Sequence, residues 1–337
     1  MNWKDTLKKK MPAGSLEKIQ RRKTMQALKK RSVTENERFA EHYAAHDCST
    51  KGQIESVMIF YVHQIEKGFS FDVYQYGRGK TALHHISDLI GRLAQVDSDW
   101  RNNSIYEDAV LALGEYRRRH TSKGYDITFM TDLFGATVNE DIATAAQRPY
   151  PNIELTRESK QDNNQVSFSK LVERRHAIRS YADMPVSRQE LEDAIAMSLR
   201  TPSVCNRQPT RVRIFTDRSI ISKALKIQGG FGGYNMPPAL MLVTADLQAF
   251  MGVSEHNEGY VDGGLFSMSL LYSLEACGLA ACPLNTMFGD KADEETRKLL
   301  DVPDNEVFIM YIAVGHFRET SRICRSQRFE LDRVLLN

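Results

Sequence analysis

A segment that is apolar on nearly every helical face, Val261–Cys277, most strongly constrains the fold of this chain. Its apolar residues follow one another too closely to leave a polar face: Leu265, Phe266, Met268, Leu270, Leu271, Tyr272 and Leu274. A helix that is hydrophobic all round is buried on every side. We therefore expect this helix at the centre of a domain, with burial at a subunit interface.

Helical and strand patterns alternate around that segment. Helices are predicted over Leu171–His176 and Ser187–Arg200, the second opening with a capping box formed by Ser187 and Glu190. Strands are predicted at Val212–Phe215, Ala239–Thr244 and Glu306–Val314. This order predicts an α+β domain with a sheet covered by helices.

The first half of the chain shows helical periodicity instead. Apolar residues recur three and four positions apart in three stretches, exemplified by Ile54 to Ile65, Leu83 to Leu93 and Ala109 to Tyr116. From Thr137 to Gln165 the periodicity is lost and Pro and Asn accumulate, which is typical of a linker. We therefore divide the chain into a basic arm (1–33), a helical accessory domain with its linker (34–165) and a second domain (166–337).

Composition narrows the class of protein. With 42% hydrophobic and 26% charged residues, the sequence predicts a soluble globular protein. It contains no run of eighteen apolar residues, so no membrane span is predicted. The five cysteines include no close-spaced pair, and their odd number argues against a disulfide framework. We expect a cytoplasmic protein.

The histidines His63, His84 and His85 lack the ligand spacing of a metal site, so no metal is predicted.

Charge is distributed unevenly along the chain. The first 33 residues hold eleven Lys and Arg against two acidic residues, which gives them about +9, whereas the whole chain carries +2. Such an arm would bind an anionic membrane surface, at the inner face of the membrane, or an acidic protein partner. The alternative is a solvated terminus that packs weakly on its own domain. Nucleic acid is the least favoured partner, because the arm lacks interleaved aromatic residues.

Two polar runs carry the chemistry. The first, Arg174–Tyr181, would place Arg175 and Arg179 four residues apart beside His176, within reach of one anion if the segment were helical. The second, Pro202–Pro209, is a loop dense in small hydrogen-bonding groups. Guanidinium groups for a phosphate and amides or hydroxyls for a ring edge are what a phosphorylated aromatic cofactor requires.

In this order the two runs resemble the FMN-dependent nitroreductase family, over the half of the chain from about Ser167. The resemblance implies a mainly antiparallel sheet, FMN as cofactor, NADH or NADPH as transient donor, and a small-molecule acceptor reduced by ping-pong hydride transfer. The acceptor would be a quinone, a nitroaromatic or a specialised biosynthetic intermediate. It also implies a homodimer with flavin at the interface. No side chain is assigned a catalytic role, because the flavin N5 carries the hydride.

The resemblance further implies four groups of flavin-binding residues. Basic residues at the first run would hold the phosphate, a loop would touch the flavin from the partner subunit, a segment after the apolar helix would lie beside the ring, and two late arginines would complete the phosphate site. In the same order, these are Arg175, His176 and Arg179; Pro202, Ser203, Asn206 and Gln208; Pro283, Leu284, Asn285 and Thr286; and Arg325 and Arg328. Ala177 and Thr210 stand where the family often has a serine and an aromatic residue.

The accessory half contains one compact polar motif, His63-Gln64-Ile65-Glu66-Lys67-Gly68. It is similar to stretches that precede nitroreductase-like domains in polysaccharide gene clusters, which points to surface polysaccharide synthesis. An ion pair that closes a helix at Gly68 explains the motif equally well.

The glycine-rich run Gly229–Gly233 precedes a strand, so we interpret it as a flap near the pocket. A second hypothesis for the whole chain is a flavin-binding scaffold or membrane-associated assembly protein with vestigial redox activity.

Overall fold

The computed structural model of the protein describes residues 15–42, 44, 48–151 and 153–336. The amino-terminal half is helical. Its helices, in chain order, are α1 (Ser15–His42), α2 (Lys51–Phe69), α3 (Lys80–Val96), α4 (Ser104–Ser122), α5 (Thr128–Leu133) and α6 (Ala136–Ala146). None of the helices in the described residues has both the length and the apolar character that crossing a membrane requires.

Helices α2, α3 and α4 form the core of this half, and the predicted apolar faces are the faces they bury. Ile54, Met58, Leu83 and Leu93 are almost inaccessible to solvent. Local signals also begin the helices: Thr50 and Gln53 form a capping box at α2, and the Asn103 side chain caps α4. The periodicity therefore predicted these three helices because each buries one continuous stripe.

The basic arm forms part of α1, which continues beyond residue 33 to His42; residues 1–14 of the arm lie outside the described residues. Its apolar residues Ile19, Met25 and Val33 are exposed. Near its carboxyl end α1 touches the second half of the chain, where Arg31 donates to the carbonyl oxygens of Val253 and Ser254 at 3.5 and 3.4 Å. Most of α1 thus presents its basic surface to solvent.

The stretch predicted as a linker contains regular structure. Helix α6 packs so closely on α4 that a methyl group added at Gly114 would lie 2.8 Å from the Cβ of Ala145. Further on, Ile153–Thr156 forms strand β1, which pairs with a strand near the end of the chain. Sequence periodicity missed α6 because only Val138 and Ile142 are buried in it, too few to define a stripe.

The second half is the predicted α+β domain. Its helices are α7 (Phe168–Arg174), α8 (Arg188–Ser198), α9 (Arg218–Gln228), α10 (Glu258–Ala276), α11 (Asp290–Leu300) and α12 (Leu331–Val334). Its remaining strands are β2 (Thr210–Phe215), β3 (Ala239–Asp246), β4 (Leu279–Asn285), β5 (Glu306–His316) and β6 (Thr320–Ile323). Within the described residues, β2, β3, β5 and β4 form the main sheet in that order, and every neighbouring pair is antiparallel.

Helices cover both faces of the main sheet. Alternate residues of β3 point to opposite sides: Met241 packs with α8 and α10, whereas Leu240 packs with α9 and α11. The fold class predicted from the sequence, a helix-covered antiparallel sheet preceded by a helical region, is confirmed. The predicted central helix, observed as α10, buries one side against the sheet but exposes Tyr260, Val261 and Leu265 on the other.

The end of the chain returns to the helical half. After β6, Arg325 forms an ion pair with Asp108 of α4, and Arg333 forms one with Glu55 of α2. Glu66 of α2 accepts hydrogen bonds from the Tyr150 hydroxyl at 2.9 Å and from the Ser326 backbone at 3.3 Å. Buried and half-buried polar contacts therefore join the two halves.

Candidate functional site

The first polar run is extended rather than helical. Helix α7 ends at Arg174, two residues earlier than predicted, and Arg175 already has extended backbone angles. The chain then follows the outer edge of β4, where the Ile178 N–H donates to the Ala281 carbonyl at 2.9 Å. Ile178 is buried, whereas the Arg175 and Arg179 side chains are half-buried beside the edge strand. Pairing with β4 overrides the helical spacing on which the sequence argument relied.

Arg175 and Arg179 differ from the neighbouring basic residues in their ion-pair partners. Arg174 pairs with Asp162 at 2.5 Å, and Lys160 pairs with Glu275 at 2.6 Å. Among the residues that the structure describes, neither Arg175 nor Arg179 forms an ion pair with a carboxylate. The Arg179 guanidinium instead donates to the Ala177 carbonyl at 3.5 Å and to the Cys324 sulfur at 3.4 Å. Two guanidinium groups therefore remain available to an anion.

His176 lies in the same positive environment. Its Nδ1 donates to the Arg174 carbonyl at 2.7 Å, which leaves Nε2 for another partner. Burial lowers the pKa of His176, and the nearby cations Lys160, Arg175 and Arg328 lower this pKa further. Arg328 is thus close enough for its charge to act on this site, and its own hydrogen bond goes to the Ser326 carbonyl at 2.7 Å.

Arg325 does not join this group. Its guanidinium is engaged by Asp108 of the helical half, and burial lowers its pKa. The resemblance implied that Arg325 and Arg328 both lie near the phosphate. The left-handed backbone of Ser326, with φ of 48°, lies between the two arginines, and the charge of Arg328 lowers the pKa of His176.

A buried ion pair that the sequence did not reveal supports the first run. Lys160 donates to the Glu275 carboxylate and to the carbonyl of Arg174, the same carbonyl that binds His176. Asn163 adds a bond of 2.9 Å to Glu275. Burial lowers the pKa of Lys160 and raises that of Glu275, and their attraction opposes both shifts. The predicted linker therefore holds the turn that presents Arg175 and His176.

The second polar run, Pro202–Pro209, adopts a strained loop. Cys205, Asn206 and Gln208 have positive φ angles of 47°, 57° and 48°, a region that non-glycine residues rarely occupy. Several bonds hold the loop. The Gln208 N–H donates to Ser203 Oγ at 2.9 Å, the Val204 N–H donates to Asp262 at 3.1 Å, and Arg207 pairs with Glu255 at 2.7 Å. Asp262 is buried in α10 and was missed because no local pattern links it to the loop. Such strain clusters at ligand-binding sites.

Within one chain the two runs lie at opposite edges of the main sheet. The loop carrying Pro202, Ser203, Asn206 and Gln208 leads into β2, one edge strand, whereas Arg175 to Arg179 follow β4, the other edge strand. Strands lie about 4.8 Å apart, so three spacings place the two edges roughly 14 Å apart. A single chain therefore does not bring the two groups together.

The third predicted group lies at the end of β4. Pro283, Leu284 and Asn285 are the last residues of this strand, and Thr286 follows it. The Asn285 carbonyl accepts a bond from Gln228 at 3.2 Å, and its side chain accepts one from the Met287 N–H at 3.3 Å. This strand end continues the edge along which the Arg175–Arg179 segment runs, so the first and third groups share one side of the domain.

The residues on this side fit a phosphorylated cofactor by the chemistry of their donors. Arg175, Arg179 and Arg328 form no ion pair with a carboxylate in the described part of the chain, whereas Arg174, Lys160 and Arg325 do. Guanidinium forks bind phosphate oxygens in pairs. Arg175 and Arg179 are half-buried and Arg328 is exposed. The excess positive charge of the two half-buried arginines favours an anionic ligand.

Part of the second domain matches a known protein family. Residues 172–241 match the family model described as "Nitroreductase family". This match covers the first polar run, the strained loop, β2 and the start of β3. Over these residues, the carboxyl-terminal half of the chain is thus similar to this family.

Individual relatives are distant. FMN reductase [NAD(P)H] of Bacillus subtilis is 24% identical over 155 residues, which cover 42% of this chain and 61% of that protein. The chain thus spans less than two thirds of that relative. A solved nitroreductase family protein of Clostridium difficile has 20% identity and a TM-score of 0.42, with 51% of this chain and 98% of that chain covered. A Desulfovibrio desulfuricans protein solved in complex with FMN has 20% identity and a TM-score of 0.42, with 51% and 97% covered.

Proposed function

We propose that the protein is an FMN-dependent oxidoreductase that uses NADH or NADPH to reduce a small-molecule acceptor. The observation that carries the proposal is the group of half-buried cations without carboxylate partners beside the edge strand β4. The match to the nitroreductase family supports it, as does the similarity to a relative named FMN reductase [NAD(P)H]. The proposed acceptor is a quinone, a nitroaromatic or a specialised intermediate of surface polysaccharide synthesis.

Each group of residues has a separate role in this proposal. Arg175, Arg179 and Arg328 would neutralise the FMN phosphate, His176 would lie beside it, and the backbone at the end of β4 would lie along the ring. The strained loop at Ser203, Asn206 and Gln208 would supply hydrogen bonds from a second copy of the chain. FMN, when bound, supplies the hydride chemistry, so the protein contributes position and electrostatics.

Two observations support a homodimer. The loop and the arginines lie at opposite edges of one sheet, so one complete site needs groups from two chains. In addition, Tyr260, Val261 and Leu265 form an exposed apolar strip on α10, the helix that also carries Asp262 beneath the loop. Covering this strip with the same strip of a second copy would give a two-fold interface next to both loops.

Leu265→Glu tests this assembly. The Leu265 residue is 48% exposed in one chain, so the substitution should leave the monomer fold intact. Burying an unpaired carboxylate at an interface costs about 3 kcal/mol or more, so the dimer dissociation constant should rise at least about a hundredfold. Light scattering across a concentration series measures it, and FMN should be lost together with the dimer. Val73→Glu, at a 77% exposed residue of the helical half, is the control. A Leu265→Glu dimer that retains FMN would contradict the assembly.

Steady-state kinetics test the proposed activity. One pocket that serves donor and acceptor in turn gives ping-pong behaviour. Initial rates measured against NADH or NADPH at several fixed quinone concentrations should therefore give parallel double-reciprocal lines. Intersecting lines would require both substrates to bind together. Absence of turnover with both nicotinamides would favour the second hypothesis, a flavin-binding scaffold.

We also propose a role for the first helix. Much of the basic arm lies on α1, whose exposed surface suits an anionic membrane or an acidic protein partner. In this view the carboxyl-terminal domain performs the chemistry in the cytoplasm, at the inner face of the membrane. The helical domain would then contribute to the choice of substrate or partner.

A further inference from the structure

A lysine of the helical half reaches the same group of cations. Lys67 lies in the last turn of α2, and its Nζ donates to the Gly230 carbonyl, at 3.1 Å, in the glycine-rich run after α9. The Lys67 ammonium lies 5.9 Å from the centre of the Tyr234 ring. The Arg179 guanidinium lies at the same distance from the same ring. Lys67 and Arg179, from two halves of the molecule, therefore both lie close to one aromatic side chain.

These two cations carry uncompensated charge. Neither forms an ion pair with a carboxylate in the part of the chain that the structure describes. The nearby acids have other partners: Glu66 binds Tyr150 and Ser326, and Asp72 pairs with Arg318. Burial lowers the pKa of Lys67, and the charge of Arg179 lowers this pKa further. Partly buried like charges without a counter-charge are unfavourable unless an anion binds between them.

Other groups already hold this part of α2 in place. The Tyr234 hydroxyl donates to the Lys67 carbonyl at 3.2 Å and lies 3.0 Å from Ser70 Oγ. A Cβ added at Gly233 would lie 2.7 Å from the Phe71 ring, which shows how closely the two halves pack. The bond to Gly230 occupies one of the three N–H donors of Lys67. Two donors thus remain beside Arg179.

We propose that Lys67 of the helical domain is a ligand of the cofactor and donates, together with Arg179, to an oxygen of FMN. This inference rests on the proposed function. It gives the motif His63–Gly68 a role: Glu66 ties α2 to the end of the chain, and the adjacent Lys67 supplies a charge to the site. The helical domain then helps to build the flavin site and is not a separable accessory.

Flavin titration of the full-length chain tests the inference. Removal of one charge-assisted bond by Lys67→Met should weaken FMN binding roughly tenfold or more. Lys67→Arg should stay within about threefold of the wild type, because it keeps the positive charge and donors. Tyr234→Phe removes the hydroxyl bonds between the halves without removing charge, and it should also stay within about threefold. A parallel riboflavin titration locates the oxygen: a loss for FMN alone places it on the phosphate, and an equal loss for both places it on the ring.

Two results would overturn the inference. One is a Lys67→Met protein that binds FMN as tightly as the wild type; if only the KM of the acceptor then changes, Lys67 binds substrate instead. The other is an equal loss of FMN in Tyr234→Phe and Lys67→Met, which would make Lys67 a structural link.

If Lys67→Met does not fold, hydrogen exchange of the wild type decides. FMN should slow exchange in residues 67–72 and 229–233, and no change there contradicts the inference. Failure of the wild type to bind FMN would refute the proposed function itself.

Discussion

Replacement of both Arg175 and Arg179 with Ala is expected to weaken FMN binding at least about a hundredfold. Each guanidinium contributes a charge-assisted bond of roughly 1.5–3 kcal/mol, and the two together exceed about 3 kcal/mol. In the described residues neither arginine pairs with a carboxylate, so its loss leaves no buried acid without a partner. The fold should therefore survive the change, and flavin fluorescence titration measures the affinity directly.

The matched control removes two arginines from elsewhere in the same domain. Arg188 and Arg218 are exposed at the first residues of α8 and α9. Arg188→Ala with Arg218→Ala changes the net charge equally, so this protein should bind FMN within about threefold of the wild type, because exposed charges contribute little. Unchanged FMN affinity in the Arg175/Arg179 double variant would refute the assignment of the phosphate site.

Lys160→Met is expected to lower the free energy of unfolding by about 3–5 kcal/mol, because it leaves the Glu275 carboxylate buried without its cation. Both side chains of this pair are only 2% exposed. Chemical denaturation of the full-length chain measures the change. Lys160→Met combined with Glu275→Met should recover most of the loss, since an apolar pair of similar volume can replace a buried ion pair.

A second lysine pair in the same region provides the control. Lys170 and Glu173 lie 2.8 Å apart on α7, but their side chains are 53% and 67% exposed. Lys170→Met should therefore cost less than about 1 kcal/mol. Equal effects of Lys160→Met and Lys170→Met would show that the buried pair does not stabilise the fold.

The Lys160–Glu275 pair also bears on where the chain can be divided. A chain that begins at Val166, the start of the second domain in our sequence division, lacks Lys160, Asn163 and strand β1. It would leave Glu275 buried and unpaired and β6 without its partner. We therefore expect such a chain to fold poorly.

Local patterns predicted much of the fold. Helices α2, α3 and α4 each bury a continuous stripe, and β3 is apolar along its length because both of its faces are covered. Ser187 and Glu190 form the predicted capping box. These features follow from burial or from bonds between residues close in sequence, which is the information that periodicity carries.

The parts that sequence did not reveal depend on distant pairs. Lys160 meets Glu275 across 115 residues, and Lys67 meets Gly230 across 163. No periodic pattern marks either partner. Arg175 and Arg179 were expected on a helix, but the bond from Ile178 to Ala281 of β4 makes the segment extended. Tertiary pairing of this kind overrides local preference.

The most direct test of the central claim is anaerobic addition of NADH or NADPH to the purified, FMN-loaded full-length protein. Loss of the absorbance of oxidised flavin, followed by its return when a quinone is added, is the result we predict. It would show that the protein binds a flavin that accepts hydride from a nicotinamide and passes it on. A protein that binds no FMN, or whose flavin stays oxidised with both nicotinamides, would contradict the proposed oxidoreductase function.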